Sequence, residues 1–264
     1  MKRMLGVLML VLVSMATACE KQTPEQRHAG GQLSPAEIAI LKTKAAAGDA
    51  LAQFNLGDAY DFGTGVPKDK TEAVKWYLLS AAQGNAEAQF NLGNVYDLGD
   101  GVPEDKTEAV KWYRLAAAQG VATAQSNLGL MYDFGTGVPK DYAEAVNWYR
   151  LAAAQGNAKA QFNLGVAYRD GEGVPQDNSE AVKWYRLAAA QGLAFAQTNL
   201  GVAYYNSEGV QKDYVQAYKW WHLAAAAGDT DAVKFKTMVA EKMTKEQIVE
   251  AQRLSTAFKP TKTP

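Results

Sequence analysis

The chain repeats one stretch of sequence five times, and the first copy, residues 49–84, reads DALAQFNLGDAYDFGTGVPKDKTEAVKWYLLSAAQG. A Leu-Gly pair marks the same point in every copy: Leu56-Gly57, Leu92-Gly93, Leu128-Gly129, Leu164-Gly165 and Leu200-Gly201. The interval is always 36 residues, and Tyr60 and Trp76 recur with it. A fixed period of this length is typical of a stacked array in which each unit packs on its neighbours.

Each copy predicts two helices joined by a turn. Ala52, Leu56 and Ala59 share one face of a first helix, helix A, which we predict over about residues 50–60. The glycines and the proline of the following segment favour a turn. A second helix, helix B, is predicted over about residues 71–82, and Gly84 is typical of a helix end. No segment alternates with the period of a strand, so we predict an all-α fold.

Small residues predict close packing between these helices. Glycine inside a helix costs about 1 kcal/mol relative to alanine. Gly57 nevertheless recurs in all five copies, which indicates that another helix passes close to it. We expect Trp76 and its equivalents to be the large side chains that fill the space between repeats.

The two ends of the array read as caps. Ser34 and Glu37 form a capping box with Pro35 between them, which predicts a capping helix over residues 34–48. Two further helices, about residues 230–242 and 245–258, are predicted within a C-terminal segment of residues 229–264. The predicted fold is therefore a right-handed α/α solenoid with helical caps. Its five 36-residue helix-turn-helix repeats are residues 49–84, 85–120, 121–156, 157–192 and 193–228.

The first residues resemble a bacterial export signal. Lys2 and Arg3 precede an apolar run, and small residues end at Ala18, which predicts a signal peptide over residues 1–18. The run is shorter than the roughly 20 residues that span a bilayer. Cys19, the only cysteine, follows directly and resembles the lipidated cysteine of a lipobox, although Ala16 stands where that motif prefers leucine. We expect lipidation of Cys19; the alternative is ordinary cleavage that leaves a free thiol.

Residues 19–33 predict a flexible tether between the lipid and the folded part, because Pro24, Gly30 and Gly31 lie among polar residues. Glu20 stands where lipoproteins retained in the inner membrane carry aspartate. The sequence therefore slightly favours the outer membrane, on its periplasmic face.

The repeat resembles a known family. Leu56-Gly57-x-x-Tyr60 and Ala73-x-x-x-Tyr77 are similar to the tetratricopeptide unit, whose period is 34 residues. The two added residues, the Gly-x-Gly-Val-Pro-x-Asp turn and the Trp-Tyr-x-Leu-Ala-Ala-x-Gly segment resemble the Sel-1-like repeat. The resemblance covers residues 49–228, and the fifth copy departs from it at Ser207 and Gln211. It implies an adaptor that helps assemble protein complexes, often at cell envelopes.

Composition argues against several other classes of function. Lys and Arg total 27 against 28 Asp and Glu, so the chain has no electrostatic footprint for nucleic acid. One cysteine and the two distant histidines, His28 and His222, do not make a metal site. Serine, histidine and carboxylate residues follow no recognisable triad order. We therefore predict no catalysis, no cofactor and no nucleic-acid partner.

Four positions of helix A vary between copies while the core positions repeat. On a helical wheel they fall on the side opposite the core, which we expect to line a concave groove that binds unidentified envelope proteins. The residues predicted to contact the partner are Phe54, Asp58, Phe90, Asn94, Leu130, Phe162, Val166, Arg169, Phe195, Val202 and Tyr205. Acidic early copies and apolar later ones predict a partner with hydrophobic anchors and a basic end. The alternative is that the C-terminal helices cover this strip.

Other hypotheses remain open. The asparagines Asn55, Asn91, Asn127, Asn163 and Asn199 either bond to backbone between helices or grip a bound peptide, as asparagines of tetratricopeptide domains do. A second class of function is the binding of envelope glycan or peptidoglycan, in which Tyr205 would stack on sugar rings. A cell-wall hydrolase is the least favoured.

Overall fold

In the computed structural model, the structure describes residues 33–261. The predicted signal peptide, Cys19 and nearly all of the tether lie outside these residues. The described part contains 13 helices and no strand, which confirms the all-α prediction.

The chain divides into two compact units, Met1–Lys140 and Asp141–Pro264. The helices of the first are α1 (Pro35–Ala46), α2 (Ala50–Phe62), α3 (Lys70–Ala82), α4 (Ala86–Leu98), α5 (Lys106–Ala118) and α6 (Ala122–Phe134). The helices of the second are α7 (Tyr142–Ala154), α8 (Ala158–Asp170), α9 (Asn178–Ala190), α10 (Ala194–Asn206), α11 (Tyr214–Ala226), α12 (Thr230–Ala240) and α13 (Lys245–Thr256). Helices A are α2, α4, α6, α8 and α10, and each is followed by its helix B.

Local chemistry at both ends explains where the helices begin and end. Asp49 caps α2 by accepting a hydrogen bond from the Ala52 amide at 2.7 Å, and Asp69 caps α3 in the same way. Helix A ends at Phe62, two residues beyond the predicted end. Gly63 follows in the left-handed conformation, with a φ of 76°, which ends the helix. The structure also contains the predicted capping box at Ser34 and a second one at Thr244.

The fifth repeat keeps the same turn without the glycine. Ser207 has a φ of 66° and is the one non-glycine residue with positive φ among residues 33–261. Its hydroxyl donates to the carbonyl of Val210 at 3.2 Å. This local bond holds serine in a conformation that side chains other than glycine rarely adopt.

In the first, second, fourth and fifth repeats, glycine of helix A meets an aromatic ring of helix B. A Cβ added to Gly57 would lie 2.6 Å from Cδ1 of Tyr77, and one on Gly93 would lie 2.4 Å from Cδ1 of Tyr113. Equivalent contacts join Gly165 to Tyr185 and Gly201 to Trp221. The predicted close approach is therefore confirmed, and the passing helix is helix B of the same repeat.

Tyrosine and not tryptophan is the large buried side chain of most repeats. Tyr77, Tyr113 and Tyr149 are fully buried, whereas Trp76 and Trp112 are half-buried. The neighbouring tryptophan lies about 100° further round the helix, which places it at the edge of the buried face. From that edge, Trp76 and Trp112 still pack on the hydrophobic clusters that involve the preceding helices, as expected of side chains between repeats. The burial of the tyrosine was not predicted.

The second glycine of each turn joins one repeat to the next. Gly101 has a φ of 90°, and a Cβ there would lie 2.7 Å from the carbonyl oxygen of Lys70, at the start of the preceding helix B. Gly173 approaches Tyr142 and Gly209 approaches Asn178 in the same way. The turn therefore needs glycine for its conformation and for its packing on the neighbouring repeat.

We expect Gly93→Ala to destabilise the protein by roughly 1–3 kcal/mol, because the added methyl group has no room beside Tyr113. Helix propensity alone predicts that the alanine variant is more stable. Urea unfolding followed by circular dichroism measures the difference. Glu87→Ala, on the exposed side of the same helix, is the control and should change stability by less than about 0.5 kcal/mol. Equal or greater stability of Gly93→Ala would contradict the proposed contact.

Candidate functional site

A ladder of buried glutamines satisfies the polar groups between repeats. Its members are Gln53, Gln89, Gln125, Gln161 and Gln197, all buried. Each side-chain amide donates to a carbonyl in the last turn of the preceding helix B, as from Gln89 to Ala81 at 3.2 Å. The same carbonyl also accepts from the amide of the glycine that ends the helix, as Ala81 does from Gly84 at 2.9 Å. Sequence reasoning missed this ladder, although glutamine follows Ala52 and its equivalents in every copy.

A second glutamine, at the end of helix B, completes the ladder. Gln83 donates to Oε1 of Gln53 at 2.7 Å, and Gln119 donates to Oε1 of Gln89 at 2.8 Å. Ala227 replaces this glutamine in the fifth repeat, and Oε1 of Gln197 has no hydrogen-bond partner among the described residues. The ladder therefore serves internal packing and not ligand binding.

Several residues predicted to line a groove are buried instead. Phe90 and Phe162 are 4% and 2% exposed. Their rings lie 6.1 Å from Tyr113 and 5.8 Å from Tyr185, and Phe54 packs on Tyr77 in the same manner. Helix B of the same repeat covers the side of helix A opposite the alanines. The expected exposure of these phenylalanines was therefore wrong, and they belong to the core.

Asp58 and Val166 share this position in the interior and are also buried, contrary to expectation. The carboxylate of Asp58 accepts hydrogen bonds from the Tyr77 hydroxyl at 2.6 Å and from Asn91 at 3.1 Å. Burial, followed by the charges of Asp58 and Asp61, raises the pKa of Tyr77. The predicted variability of this position therefore reflects how the tyrosine hydroxyl is satisfied in each repeat.

The next repeats satisfy this hydroxyl differently. In the second repeat, Asn94 accepts from the Tyr113 hydroxyl at 2.8 Å. In the fourth, valine at this position has no acceptor, and the buried Tyr185 hydroxyl has no hydrogen-bond partner within residues 33–261. Leu130 and Val202, the remaining members, are half-buried.

Arg169 and Phe195 are half-buried at the join of the fourth and fifth repeats. The Arg169 guanidinium donates two hydrogen bonds to Asp170, at 2.7 and 2.6 Å, and one to Oδ1 of Asn199 at 3.0 Å. Burial disfavours its charge, but the bonds and charge of Asp170 outweigh that effect and raise the pKa of Arg169. The Phe195 ring lies 6.4 Å from Phe162.

In the fifth repeat, the helices that follow cover the predicted strip. Val202 and Tyr205 join a hydrophobic cluster with Phe235 and Met238 of α12. The ammonium of Lys242 lies 4.9 Å from the centre of the Tyr205 ring. Tyr205 is therefore no open platform for a sugar ring, and the alternative in which the C-terminal helices fold back holds at this repeat.

The asparagines contact the neighbouring repeat where their bonds are resolved. Asn91 donates to the Asp58 side chain, and Asn199 donates to the Phe195 carbonyl while accepting from Arg169. These bonds favour a structural role for these two asparagines, with side chains as well as backbone as partners.

The exposed face of helix A overlaps only the edge of the face that the sequence predicted, at the position of Leu51 and Phe195. In the first unit, Leu51 at the start of α2 is exposed. Leu98 and Phe134, at the ends of α4 and α6, are both 42% exposed. Apolar side chains at these positions are available to a partner.

Leu98 also borders a small pocket between the first two repeats. The pocket measures about 50 Å³ and is lined by Asp61, Phe62, Lys70, Tyr77, Phe90, Asn91, Asn94, Val95, Leu98 and Asp100. Aromatic and aliphatic side chains form most of the wall, and amide and carboxylate groups supply polar contacts. The pocket therefore offers both apolar and polar contacts, although it is far smaller than the roughly 300–1,000 Å³ of sites that enclose a ligand.

An ion cluster forms one side of this pocket. The Lys70 ammonium bonds to Asp61 and lies 2.9 Å from Oδ2 of Asp100. Burial alone would lower the pKa of Lys70, but the two carboxylates outweigh it and raise that pKa. Two negative charges against one positive charge leave this side of the pocket acidic.

Other kinds of site are not found in the part of the chain that the structure describes. No group of three or more His, Cys, Asp or Glu side chains there is placed to hold a metal ion. None of the helices between residues 33 and 261 has the length and hydropathy needed to cross a membrane.

Comparisons with known proteins agree with this architecture. A family model described as Sel1 repeat matches residues 50–85, 86–121, 122–157, 158–193 and 194–229. The structure of a Sel1 repeat protein from Oxalobacter formigenes is 34% identical and covers 87% of this chain and 92% of that chain, with a TM-score of 0.74. A protective antigen of uropathogenic Escherichia coli strains that displays an SLR fold is also 34% identical, with a TM-score of 0.58. That comparison covers 83% of this chain and 55% of the antigen. No curated protein sequence matches.

The tyrosine hydroxyls provide a matched pair of tests. We expect Tyr113→Phe to cost about 0.5–1.5 kcal/mol of unfolding free energy, because it removes the bond to Asn94. Tyr185→Phe should leave stability unchanged or raise it, because its hydroxyl has no described partner. Both are measured by urea unfolding under one set of conditions. A larger loss from Tyr185→Phe than from Tyr113→Phe would show that the Tyr185 hydroxyl has a partner.

Proposed function

Because the Sel1 repeat model matches five consecutive segments over residues 50–229, the chain belongs to the Sel1 repeat family, and we propose that it is a non-catalytic scaffold that binds a segment of another protein at the bacterial cell envelope. Sel1 repeat proteins generally act as scaffolds for protein interaction. The matched family describes a repeat and not a catalytic domain.

The pocket beside Leu98 carries the proposal. Its lining combines hydrophobic walls with Asp61 and Asp100, and one of the lining side chains, Leu98, is 42% exposed. Hot spots of protein interfaces commonly join an apolar anchor to a surrounding polar rim. The exposed face of helices α2, α4 and α6 therefore replaces the predicted groove residues as the proposed partner surface.

The charge of this surface indicates the chemistry of the partner. Asp97 pairs with Lys106 at 3.0 Å, and Asp61 and Asp100 share the single ammonium of Lys70. Each aspartate has oxygen atoms that accept further hydrogen bonds. A partner segment with an apolar anchor and a lysine or arginine beside it would complement this arrangement.

Envelope location is proposed from the first 33 residues of the sequence. A signal peptide followed by Cys19 would export the chain and anchor it by lipid, with the tether holding the repeats away from the membrane surface. Glu20 favours the periplasmic face of the outer membrane, because lipoproteins retained in the inner membrane carry aspartate at this position. An anchored scaffold would bring its partner to that membrane.

Glycan binding and hydrolysis of the cell wall have less support. The aromatic side chain first considered for stacking on sugars, Tyr205, packs against Trp221 and Lys242. The polar groups of the pocket engage one another, and no nucleophile with an adjacent base stands out among them. Protein binding is therefore the function that these side chains favour.

We expect Leu98→Glu to abolish recovery of the partner from detergent-solubilised envelopes while leaving the melting temperature nearly unchanged. A charged group at the pocket edge removes the apolar anchor and repels a partner only where that partner contacts this face. Affinity purification followed by mass spectrometry measures recovery of each protein relative to the wild-type chain.

Leu115→Glu is the matched control for this surface. Leu115 lies on helix B and is 49% exposed, close to the value for Leu98, so the same substitution tests a different face. We expect full recovery of the partner by this variant. Loss with Leu115→Glu and retention with Leu98→Glu would place the partner on helices B. Loss of helical content in Leu98→Glu would show that Leu98 belongs to the core.

The anchor is tested separately with Cys19→Ser. We expect this change to move the protein from the membrane fraction to the soluble fraction or to leave the signal peptide uncleaved, because the lipid acceptor is gone. Mass spectrometry of the mature N-terminus of the wild-type chain should show a diacylated and N-acylated Cys19. A free thiol at Cys19 in that spectrum would contradict the lipoprotein proposal.

A further inference from the structure

The segment after α13 lies across the middle of α11 and the end of α9, two helices B of the second unit. The Phe258 ring meets Trp220 of α11 edge to face, with ring centres 5.6 Å apart. Pro260 lies beside Gly192, within van der Waals distance of where a side chain would begin. The Thr261 amide donates to the carbonyl of Ala190, the last residue of α9, at 2.8 Å.

These contacts resemble those of a bound peptide. The carbonyl at the end of a helix has no helical partner, so it is available to a donor from an extended segment. Proline has no amide hydrogen, and the residue after it therefore supplies the donor. Phe258–Thr261 thus engages the surface through an aromatic ring, a proline ring and one backbone bond.

Residues of the groove are buried beneath the segment and the end of α13, whose Ser255 hydroxyl donates to the Lys219 carbonyl at 3.4 Å. Trp220 is 8% exposed, and Ala190 and Lys219 are half-buried. The Lys219 ammonium lies 4.3 Å from the centre of the Trp220 ring and 5.9 Å from that of Phe258. Burial also lowers the pKa of Lys219.

Two further grooves between one repeat and the next carry the same residues, and a third set, Ala46, Gly48, Lys75 and Trp76, stands between α1 and the first repeat. Ala82, Gly84, Lys111 and Trp112 form one in the first unit, and Ala154, Gly156, Lys183 and Trp184 form the other in the second unit. Here the alanine and the lysine are exposed and the tryptophan is half-buried. The grooves at Trp112 and Trp184 therefore have the same kinds of residue that contact Phe258–Thr261, but they are more exposed.

Several substitutions separate the covered groove from the other two. Ala227 stands where Gln119 and Gln191 donate to the carbonyls of Gly84 and Gly156, each at 2.9 Å.

Another substitution removes the partner of the lysine. Lys111 pairs with Glu108 at 2.6 Å, and Lys183 pairs with Glu180. The equivalent residue in α11 is Gln216, which has no charge to offer Lys219. Exposed ion pairs of this kind contribute little to the free energy of unfolding. The ammonium of Lys111 or Lys183 is therefore able to leave its glutamate and contact the aromatic ring of a ligand, as the Lys219 ammonium contacts Phe258.

We propose that the grooves at Trp112 and Trp184 each bind an extended segment of another protein in which an aromatic residue is followed, two positions later, by proline and then by a residue with a free amide. Phe258–Thr261 is the internal example of this ligand. The surface belongs to helices B and is distinct from the helix A surface proposed above. Its test is therefore independent of that function.

The test uses the full chain labelled with ¹⁵N and a synthetic peptide with the sequence of residues 255–264, STAFKPTKTP. Indole N–H signals are assigned with single Trp→Phe variants and followed during titration. We expect saturable shifts at Trp112 and Trp184 but not at Trp220, with a dissociation constant on the order of 1 mM for a single aromatic anchor. A peptide carrying Phe258→Ala should bind at least tenfold more weakly.

The Phe258→Ala variant of the full chain provides the matched control. Its Trp220 groove loses the internal ring, so the wild-type peptide should now shift Trp220 as well. If Trp220 responds and Trp112 and Trp184 do not, the groove is peculiar to the fifth repeat and the proposal is overturned. Silence of all three indoles overturns it too, because the segment then does not act as a separable ligand. Should the variant not fold, the wild-type titration alone decides.

A second copy of the chain is the competing occupant. In that case, Trp112 and Trp184 would shift when the protein is concentrated without peptide, and sedimentation would show association. That result would overturn the proposal of a partner segment.

Discussion

The fold depends on the contact between a glycine in helix A and an aromatic ring in helix B. Gly57 and Tyr77 lie so close that a methyl group on the glycine would overlap the ring. This contact fixes how the two helices of a repeat approach, and the close packing of protein interiors leaves little room to adjust it. The same ring position directs the hydroxyl to helix A, where Tyr77 donates to Asp58 and Tyr113 donates to Asn94.

Contacts between repeats use backbone groups as well as hydrophobic side chains. The glutamine side chains donate hydrogen bonds to carbonyls in the last turn of the preceding helix B. The second glycine of each turn packs against the first turn of the preceding helix B. Both ends of helix B are therefore held by the next repeat along the chain. Buried polar groups that are fully bonded also oppose any shift of register, because a shift would leave them unpaired.

The sequence predicted the helices well, because their signals are local. Periodic alanine and leucine, aspartate caps and terminal glycines each act within one turn, and only the helix ends differed by about two residues. The groove residues were predicted less well, because the wheel of one helix does not show which side its partner covers. Phe90 and Phe162 vary between repeats as surface residues do, yet helix B encloses them. Their variation follows the partners of each tyrosine ring and hydroxyl, which are tertiary contacts.

The glutamine ladder has a consequence for how the length of the array can change in evolution. Every internal boundary presents the same donors and acceptors, so the duplication or deletion of one 36-residue unit within the array would rejoin matching groups. The last repeat is different, since Ala227 ends the ladder and Gln197 keeps an unpaired oxygen among the described residues. Growth by recombination is thus easiest among the inner units, and the fifth repeat with α12 and α13 would be inherited as one block.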